Sequence, residues 1–185
     1  MIDSLYDQAR EGDTAVAGLY CDFQTQQDQT ITRVMGAILK GLVGRGNIPE
    51  YLREAFQKEF AGRGLRLPDL MGLLRKAIAS LRQVFICIDA LDEFLPQDLP
   101  VLLRSLKDIV QESPSTRIFL TGRPPVREEI QECFLEAIVI PVSPNKDDIR
   151  NYLEMRIDRD YRKKAMNDGL RADILRIFQE KMSDM

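Results

Sequence analysis

Residues 84 to 93 read Val84-Phe85-Ile86-Cys87-Ile88-Asp89-Ala90-Leu91-Asp92-Glu93. The first five are apolar with no polar residue between them, a pattern typical of a strand buried on both faces of a parallel sheet. Asp89 follows directly, and ligands of open α/β sheets bind at the carboxyl ends of the strands. The segment therefore predicts a buried strand that brings a carboxylate to a ligand-binding edge.

The three acidic residues of this segment suit a bound magnesium ion. Magnesium prefers oxygen ligands and keeps several waters, so Asp89 is placed to hold it, usually through a water molecule. Ala90 is small and leaves room for a phosphate beside the ion. Asp92 and Glu93 follow closely, and one of them could orient or polarise an attacking water in catalysis. The competing structural interpretation is a buried strand followed by acids that cap the helix predicted from Leu99.

A second informative segment reads Ser115-Thr116-Arg117-Ile118-Phe119-Leu120-Thr121-Gly122-Arg123-Pro124-Pro125. It predicts another short buried strand, followed by a turn and an arginine. If this strand neighbours the one that ends at Asp89, Arg123 lies over the same edge of the sheet. Its guanidinium could then contact a terminal phosphate, because arginine suits bidentate phosphate binding. Taken alone, a loop arginine before proline is more often a surface residue.

Other short apolar runs alternate with amphipathic helical patterns along the chain. The remaining predicted strands are 16–20 and 137–140. The predicted helices, with apolar residues at spacings of three and four, are 2–9, 31–42, 70–81, 99–110, 149–157 and 170–182. Ser143 with Pro144, or Asn145, is the expected cap of the fifth helix. The alternation predicts an α/β fold, a parallel sheet flanked by helices, with a helical extension at its C-terminal end.

Composition indicates a globular domain and argues against several partners. The net charge of the 185 residues is −3, which gives no electrostatic reason to expect nucleic acid or an anionic membrane. No apolar run approaches the roughly 20 residues that span a bilayer. Cys21, Cys87 and Cys133 are far apart and odd in number, which indicates reduced thiols in the cytoplasm. The sequence has no histidine, the usual general base and the commonest zinc ligand.

The acidic and arginine segments resemble the NACHT family of signal-transduction NTPases, within the STAND group of P-loop ATPases. Residues 86–93 are similar to the Walker B motif of that family with its paired trailing acids, and 121–124 to its sensor 1 strand end. The segment 17–23, with the helix after it, resembles the second strand and following helix of fungal-type members. Residues 143–152 resemble the turn into the helix after the fifth strand.

This resemblance implies that the intact protein is an ATP-dependent signalling switch of the NLR-like or incompatibility type, with ATP and Mg²⁺ as cofactors. It makes Asp89 the metal ligand, Asp92 and Glu93 the catalytic acids, and Arg123 a nucleotide-binding residue. Protein partners are expected through oligomerisation or through adjoining effector and repeat domains, in innate immunity or fungal incompatibility. Neither nucleic acid nor a membrane is expected as a partner.

The phosphate-binding loop of the family is missing from this sequence. No Gly-x-x-x-x-Gly-Lys-Ser/Thr occurs, although that loop cradles the phosphates and supplies a lysine. By analogy, the missing strand lies between the strands predicted at 118–120 and 137–140. We therefore expect an incomplete, P-loop NTPase-like NACHT domain at 1–159 and the start of a following helical segment at 160–185. This chain alone is expected to bind ATP weakly and to hydrolyse it little, which leaves its status as an enzyme open.

Two other functions fit the same residues. A degenerate, non-catalytic α/β scaffold would keep the fold and use its helices as a protein-interaction module. A phosphatase-like hydrolase would use Asp89, Asp92 and Glu93 as a metal site, and Asp22 is the only obvious further acid at a strand end. An in-frame phosphate-binding loop in the upstream sequence would favour the switch over the scaffold.

Overall fold

Three parallel strands form one sheet in the order β1-β2-β3. They are β1 (Thr14–Tyr20), β2 (Gln83–Asp89) and β3 (Thr116–Leu120). The computed structural model describes residues 2–9, 13–44, 48–60, 65–143, 145–159 and 167–183. β2 lies in the middle, with Tyr20 of β1 opposite Asp89 and Leu120 of β3 opposite Ile88. The strands predicted at 16–20, 84–88 and 118–120 and their parallel arrangement are confirmed.

The helices in the described part of the chain surround these strands in sequence. They are α1 (Ile2–Gln8), α2 (Ile31–Val43), α3 (Glu50–Phe60), α4 (Leu67–Ala79), α5 (Leu99–Glu112), α6 (Arg127–Cys133), α7 (Lys146–Asp158) and α8 (Asp168–Ser183). All six predicted helices are confirmed, whereas α3 and α6 were not predicted. α3 carries apolar residues at helical spacing, at Leu52, Ala55, Phe56 and Phe60, so a sequence signal for it was present. α6 has only seven residues, too few for a long apolar stripe.

The hydrophobic core lies on one face of the sheet. Val84, Ile86 and Ile88 point to that face and are almost fully buried in one cluster with α2, α4 and α5. On the opposite face, Arg117 and Phe119 of β3 are exposed. The expectation of a strand buried on both faces is therefore wrong for β3, because the core helices cover only one of its faces.

The fourth predicted strand, 137–140, is not formed. Within the described residues the sheet has three strands, and 137–140 has no strand assignment. Ile138 and Ile140 are instead 89% and 76% exposed. A strand requires a neighbour to satisfy its backbone hydrogen bonds. Apolar composition indicated a strand here, but 137–140 is paired with none of the three strands of the described residues.

The exposed segment is expected to promote self-association, because clustered exposed apolar residues are prone to aggregate. Replacing Ile138 and Ile140 together by lysine should reduce the aggregated fraction at least about twofold, as measured by size-exclusion chromatography with light scattering. Val101→Lys is the control, because Val101 is also exposed, at 44%, but lies on α5. Equal aggregation of the parent and both variants would contradict this expectation.

The chain has two compact units, Met1–Ala137 and Ile138–Met185. The first contains the sheet and α1 to α6, and the second contains α7 and α8, so the predicted C-terminal helical extension is present. Asn145 caps α7 by accepting a hydrogen bond from the Asp147 N–H at 3.0 Å, which confirms one of the two expected caps.

Two expectations fall on residues that the structure does not describe. Pro144, part of the other expected cap of α7, and residues 160–166, part of the predicted helical segment 160–185, lie outside the described residues. The domain boundary between 159 and 160 stays a prediction. No helix in the described ranges is both long and apolar enough to cross a membrane.

Candidate functional site

The carboxyl ends of the three strands bring the predicted site residues to one edge of the sheet. Asp89 ends β2, and Arg123 follows β3, which pairs with β2 in parallel. The segment after β1 reaches the same edge, where the Cys21 N–H donates to the Asp89 carbonyl at 2.9 Å. The structure thus places Asp89, Asp92, Glu93 and Arg123 together, while their functional roles stay predictions.

Asp89 is held in place by the residue that follows β3. The Thr121 hydroxyl donates to Asp89 Oδ1, and the Ala90 N–H is 3.1 Å from both Asp89 Oδ1 and Thr121 Oγ1. The main chain makes a second link, because the Leu91 N–H donates to the Thr121 carbonyl at 2.9 Å. The sequence placed Thr121 in the segment 121–124 that resembles the sensor 1 strand end, but gave it no role at the site. Its signal was a hydroxyl directly after a strand that neighbours the acidic one.

Ala90 turns the chain out of β2 through a left-handed conformation, with φ 56° and ψ 47°. It has the only positive φ of the described residues other than glycine. This conformation costs an L-residue roughly 1–2 kcal/mol, and it persists where surrounding contacts determine it. Here the contacts of the Ala90 N–H with Asp89 and Thr121 supply that restraint. The turn directs the following acids back toward the strand edge.

Asp92 binds the residue predicted to contact the nucleotide. Its Oδ1 accepts a hydrogen bond from the Arg123 N–H at 3.0 Å, and its Oδ2 is 3.4 Å from Arg123 Nε. The Asp92 side chain is 13% exposed, whereas that of Arg123 is 76% exposed. A Cβ at Gly122 would lie 2.8 Å from Val126 Cγ2, too close for both to stay in place, but 3.5 Å from Asp92 Oδ1, which is an ordinary contact.

Glu93 reaches in the other direction, to the segment after β1. Its Oε2 accepts a hydrogen bond from the Phe23 N–H at 2.9 Å. Asp22, which precedes Phe23, is engaged within its own loop. Its side chain accepts a hydrogen bond from the Gln24 N–H at 2.9 Å and caps the 3₁₀ helix Phe23–Asp28. The two trailing acids of the β2 segment therefore connect it to both flanking loops.

Negative charge dominates the electrostatics of this edge. Glu93 contributes most to raising the pKa of the Tyr20 hydroxyl, followed by desolvation and by neighbouring acids. Burial, together with Glu93, Asp89 and Asp92, raises the pKa of the Cys21 thiol to about 11. Both shifts oppose the formation of a further anion. The edge therefore favours a cation, and an anionic ligand would bind best together with one.

Asp89 fits a magnesium ion as one ligand among several. In the described ranges, no three His, Cys, Asp or Glu side chains are grouped so that they could hold a metal ion. Asp89 Oδ1 is engaged with Thr121 and Ala90, which leaves Oδ2 for an ion or its water. The remaining ligands would be waters and phosphates of a bound molecule, as is usual for magnesium. A phosphatase-like site built from protein acids finds no support, because Asp22 caps a helix instead of joining Asp89.

Comparison with known proteins identifies the family of the sheet unit. No curated protein matches the chain. A family model described as "Nephrocystin 3, N-terminal" matches residues 1–123, a region that contains all three strands and every predicted site residue from Asp89 to Arg123. This match spans more than half of the 185 residues, and the chain therefore belongs to the nephrocystin 3 N-terminal family.

Proposed function

We propose that this chain is part of an ATP-dependent signalling switch and that its sheet unit is a NACHT-like NTPase module. One observation carries the proposal: Asp89 and Arg123 stand at the carboxyl ends of adjacent parallel strands. A carboxylate that can hold a hydrated magnesium ion and a guanidinium that can bind phosphate are complementary to a metal–nucleotide complex.

The residues at the edge would act on different parts of the metal–nucleotide complex. Asp89 holds Mg²⁺ through its free oxygen, and Arg123 contacts the terminal phosphate. One of the trailing acids, Asp92 or Glu93, orients the attacking water, which a carboxylate can do without histidine. Magnesium would neutralise phosphate charge that this acidic edge otherwise repels. Nucleotide state would then control oligomerisation with protein partners.

ATP binding by this chain alone is expected to be weak. Much of the affinity of a P-loop protein for its nucleotide comes from the backbone N–H groups of the phosphate-binding loop and from its lysine. The sequence has no such motif. Equilibrium binding of labelled ATP with magnesium should give a Kd no tighter than about 1 mM, and Asp89→Ala should change it little. Micromolar affinity abolished by Asp89→Ala would show that the chain binds nucleotide without that loop.

The switch itself is tested on the transcript and on the protein it encodes. An in-frame Gly-x-x-x-x-Gly-Lys-Ser/Thr upstream of Met1 would favour the switch over a scaffold, and the proposal then expects nucleotide-dependent oligomerisation of the encoded protein. In that protein Asp89→Asn should slow ATP hydrolysis by more than about tenfold, equivalent to 1.4 kcal/mol of activation free energy. A Glu136→Gln variant is the matched control, because Glu136 is exposed and follows α6, outside the edge described above. Hydrolysis that is equally fast in both variants would refute the role of Asp89.

A non-catalytic scaffold is the second candidate, and one observation favours it. Asp92 and Glu93 both accept hydrogen bonds from main-chain N–H groups of neighbouring loops, as residues with a purely structural role would. A scaffold would bind its protein partners equally well with and without ATP. Nucleotide-dependent oligomerisation therefore separates the two functions.

A further inference from the structure

The two acids that follow β2 differ in what they contact. Both oxygens of Asp92 are engaged by a single residue, Arg123, one through its main-chain N–H and the other through Nε. Glu93 contributes one oxygen, Oε2, to the Phe23 N–H, and Oε1 has no partner among the described residues. The sequence pattern made these acids equivalent, but their surroundings are not.

We infer that Asp92 is the positioning residue for Arg123, and that Glu93 is the acid left to face a ligand. The choice of a phosphate group as the ligand rests on the proposed function, whereas the contact between Asp92 and Arg123 does not depend on it. Asp92 is thereby assigned a task other than catalysis. Both oxygens of Asp92 face one arginine and its side chain is only 13% exposed, so Asp92 is less suited to orient a water than Glu93, whose Oε1 has no partner among the described residues.

The contact at Nε leaves the outer part of the guanidinium available. Asp92 approaches Nε at 3.4 Å, and within the described part of the chain Nη1 and Nη2 of Arg123 have no hydrogen-bonding partner. The paired N–H groups of a guanidinium match two oxygens of one phosphate. Anchoring Nε therefore orients the side chain while it keeps these nitrogens free for a bidentate contact.

Burial makes Asp92 the fixed partner of the pair. Its side chain is 13% exposed and that of Arg123 is 76% exposed. The turn that carries Asp92 is anchored by Leu91, which is fully buried, and closed by the Glu93 N–H donating to the Ala90 carbonyl at 2.9 Å. The arginine is therefore the mobile group that the carboxylate restrains.

The conservative variant Asp92→Asn separates the two contacts. Asparagine keeps an oxygen that can accept from the Arg123 N–H, so the loop should stay in place. Its neutral amide group cannot form the ion pair with Nε, so the guanidinium should be released. The pair has an exposed partner, so we expect hydrogen exchange of Arg123 Nε–H to become about two- to fivefold faster, with the melting temperature nearly unchanged.

Side-chain NMR of arginine Nε–H groups measures this exchange in the full chain. The Arg123 signal is assigned by its loss in Arg123→Gln. Arg75, whose Nε donates to Glu112 between α4 and α5, is the internal control and should exchange alike in all variants. Glu93→Gln should leave the Arg123 exchange rate unchanged. An Arg123 rate that is the same in the parent chain and in Asp92→Asn would overturn the inference.

Titration with inorganic tripolyphosphate and magnesium tests the phosphate contact separately. In the parent chain the Arg123 Nε–H signal should shift with millimolar affinity, and Asp92→Asn should weaken that affinity about two- to fivefold. Equal affinities of the parent chain and of Asp92→Asn for tripolyphosphate would refute the positioning role of Asp92. If the parent signal does not shift at all, while its exchange still depends on Asp92, the proposed phosphate role fails and the Asp92–Arg123 restraint stands.

Discussion

Replacing Phe94 with alanine is expected to lower the free energy of unfolding of the sheet unit by about 3–5 kcal/mol. Phe94 is 1% exposed and belongs to the core cluster on the packed face of the sheet. Its loss removes the transfer free energy of a large ring and leaves a cavity that rigid neighbours fill only in part. This would be a large fraction of the 5–15 kcal/mol that typically stabilises a domain.

Phe119→Ala is the matched control for this prediction. Phe119 is 36% exposed and lies on the face opposite the core cluster, with its ring centroid 6.2 Å from that of Phe85. We expect its removal to cost less than about 1.5 kcal/mol, the size of an aromatic pair. Urea unfolding should be followed by labelling of the buried thiol Cys21, because it belongs to the sheet unit and, unlike Cys87, does not lie opposite Phe119 in the sheet. Equal losses for the two variants would contradict the assignment of the core to one face.

The Phe94 variant also tests how the core supports the candidate site. The Phe94 N–H donates to the Leu91 carbonyl at 3.1 Å and so closes the turn that carries Asp92 and Glu93. Loss of the ring should loosen this turn before the whole sheet unfolds. The contacts of the acids with the loops after β1 and β3 would then weaken together. The arrangement of the site residues therefore depends on the packing of the core.

The elements that were predicted correctly have local signals. β2 follows from five consecutive apolar residues before Asp89, and α2 and α5 follow from apolar stripes at helical spacing. The segment 137–140 has a similar apolar run, yet it is not a strand. β2 pairs with both β1 and β3, whereas none of the described residues pairs with 137–140 in a strand. Composition indicates which segments can form strands, whereas pairing determines which of them do.

The candidate site shows the same limit at the level of single residues. The sequence predicted that Asp89 and Arg123 share an edge, because both follow buried strands. It did not indicate that Thr121 contacts Asp89 or that Asp92 contacts Arg123. Each of these pairs is more than thirty residues apart in sequence. Their contact depends on strand order, register and the left-handed turn at Ala90, none of which spacing encodes.

Gly41→Val is expected to lower the free energy of unfolding by more than about 2 kcal/mol, because it overpacks the contact between α2 and β1. A Cβ at position 41 would lie 2.9 Å from the Ala17 Cβ and 3.0 Å from the Ala17 Cα. The second of these atoms is backbone, so the strand cannot yield by a change of rotamer. The helix would have to move away from a strand whose Ala17 is 1% exposed, and packing around the whole contact would loosen.

Gly36→Ala in the same helix provides the opposite expectation. A Cβ at position 36 would meet nothing within 4 Å, so alanine brings no clash and restricts the unfolded chain. We expect it to raise the free energy of unfolding by about 0.5–1 kcal/mol, the usual difference between glycine and alanine inside a helix. Urea unfolding of both variants, followed by Cys87 labelling, compares them directly. If Gly41→Val were as stable as Gly36→Ala, α2 could not lie against β1 as closely as the structure has it.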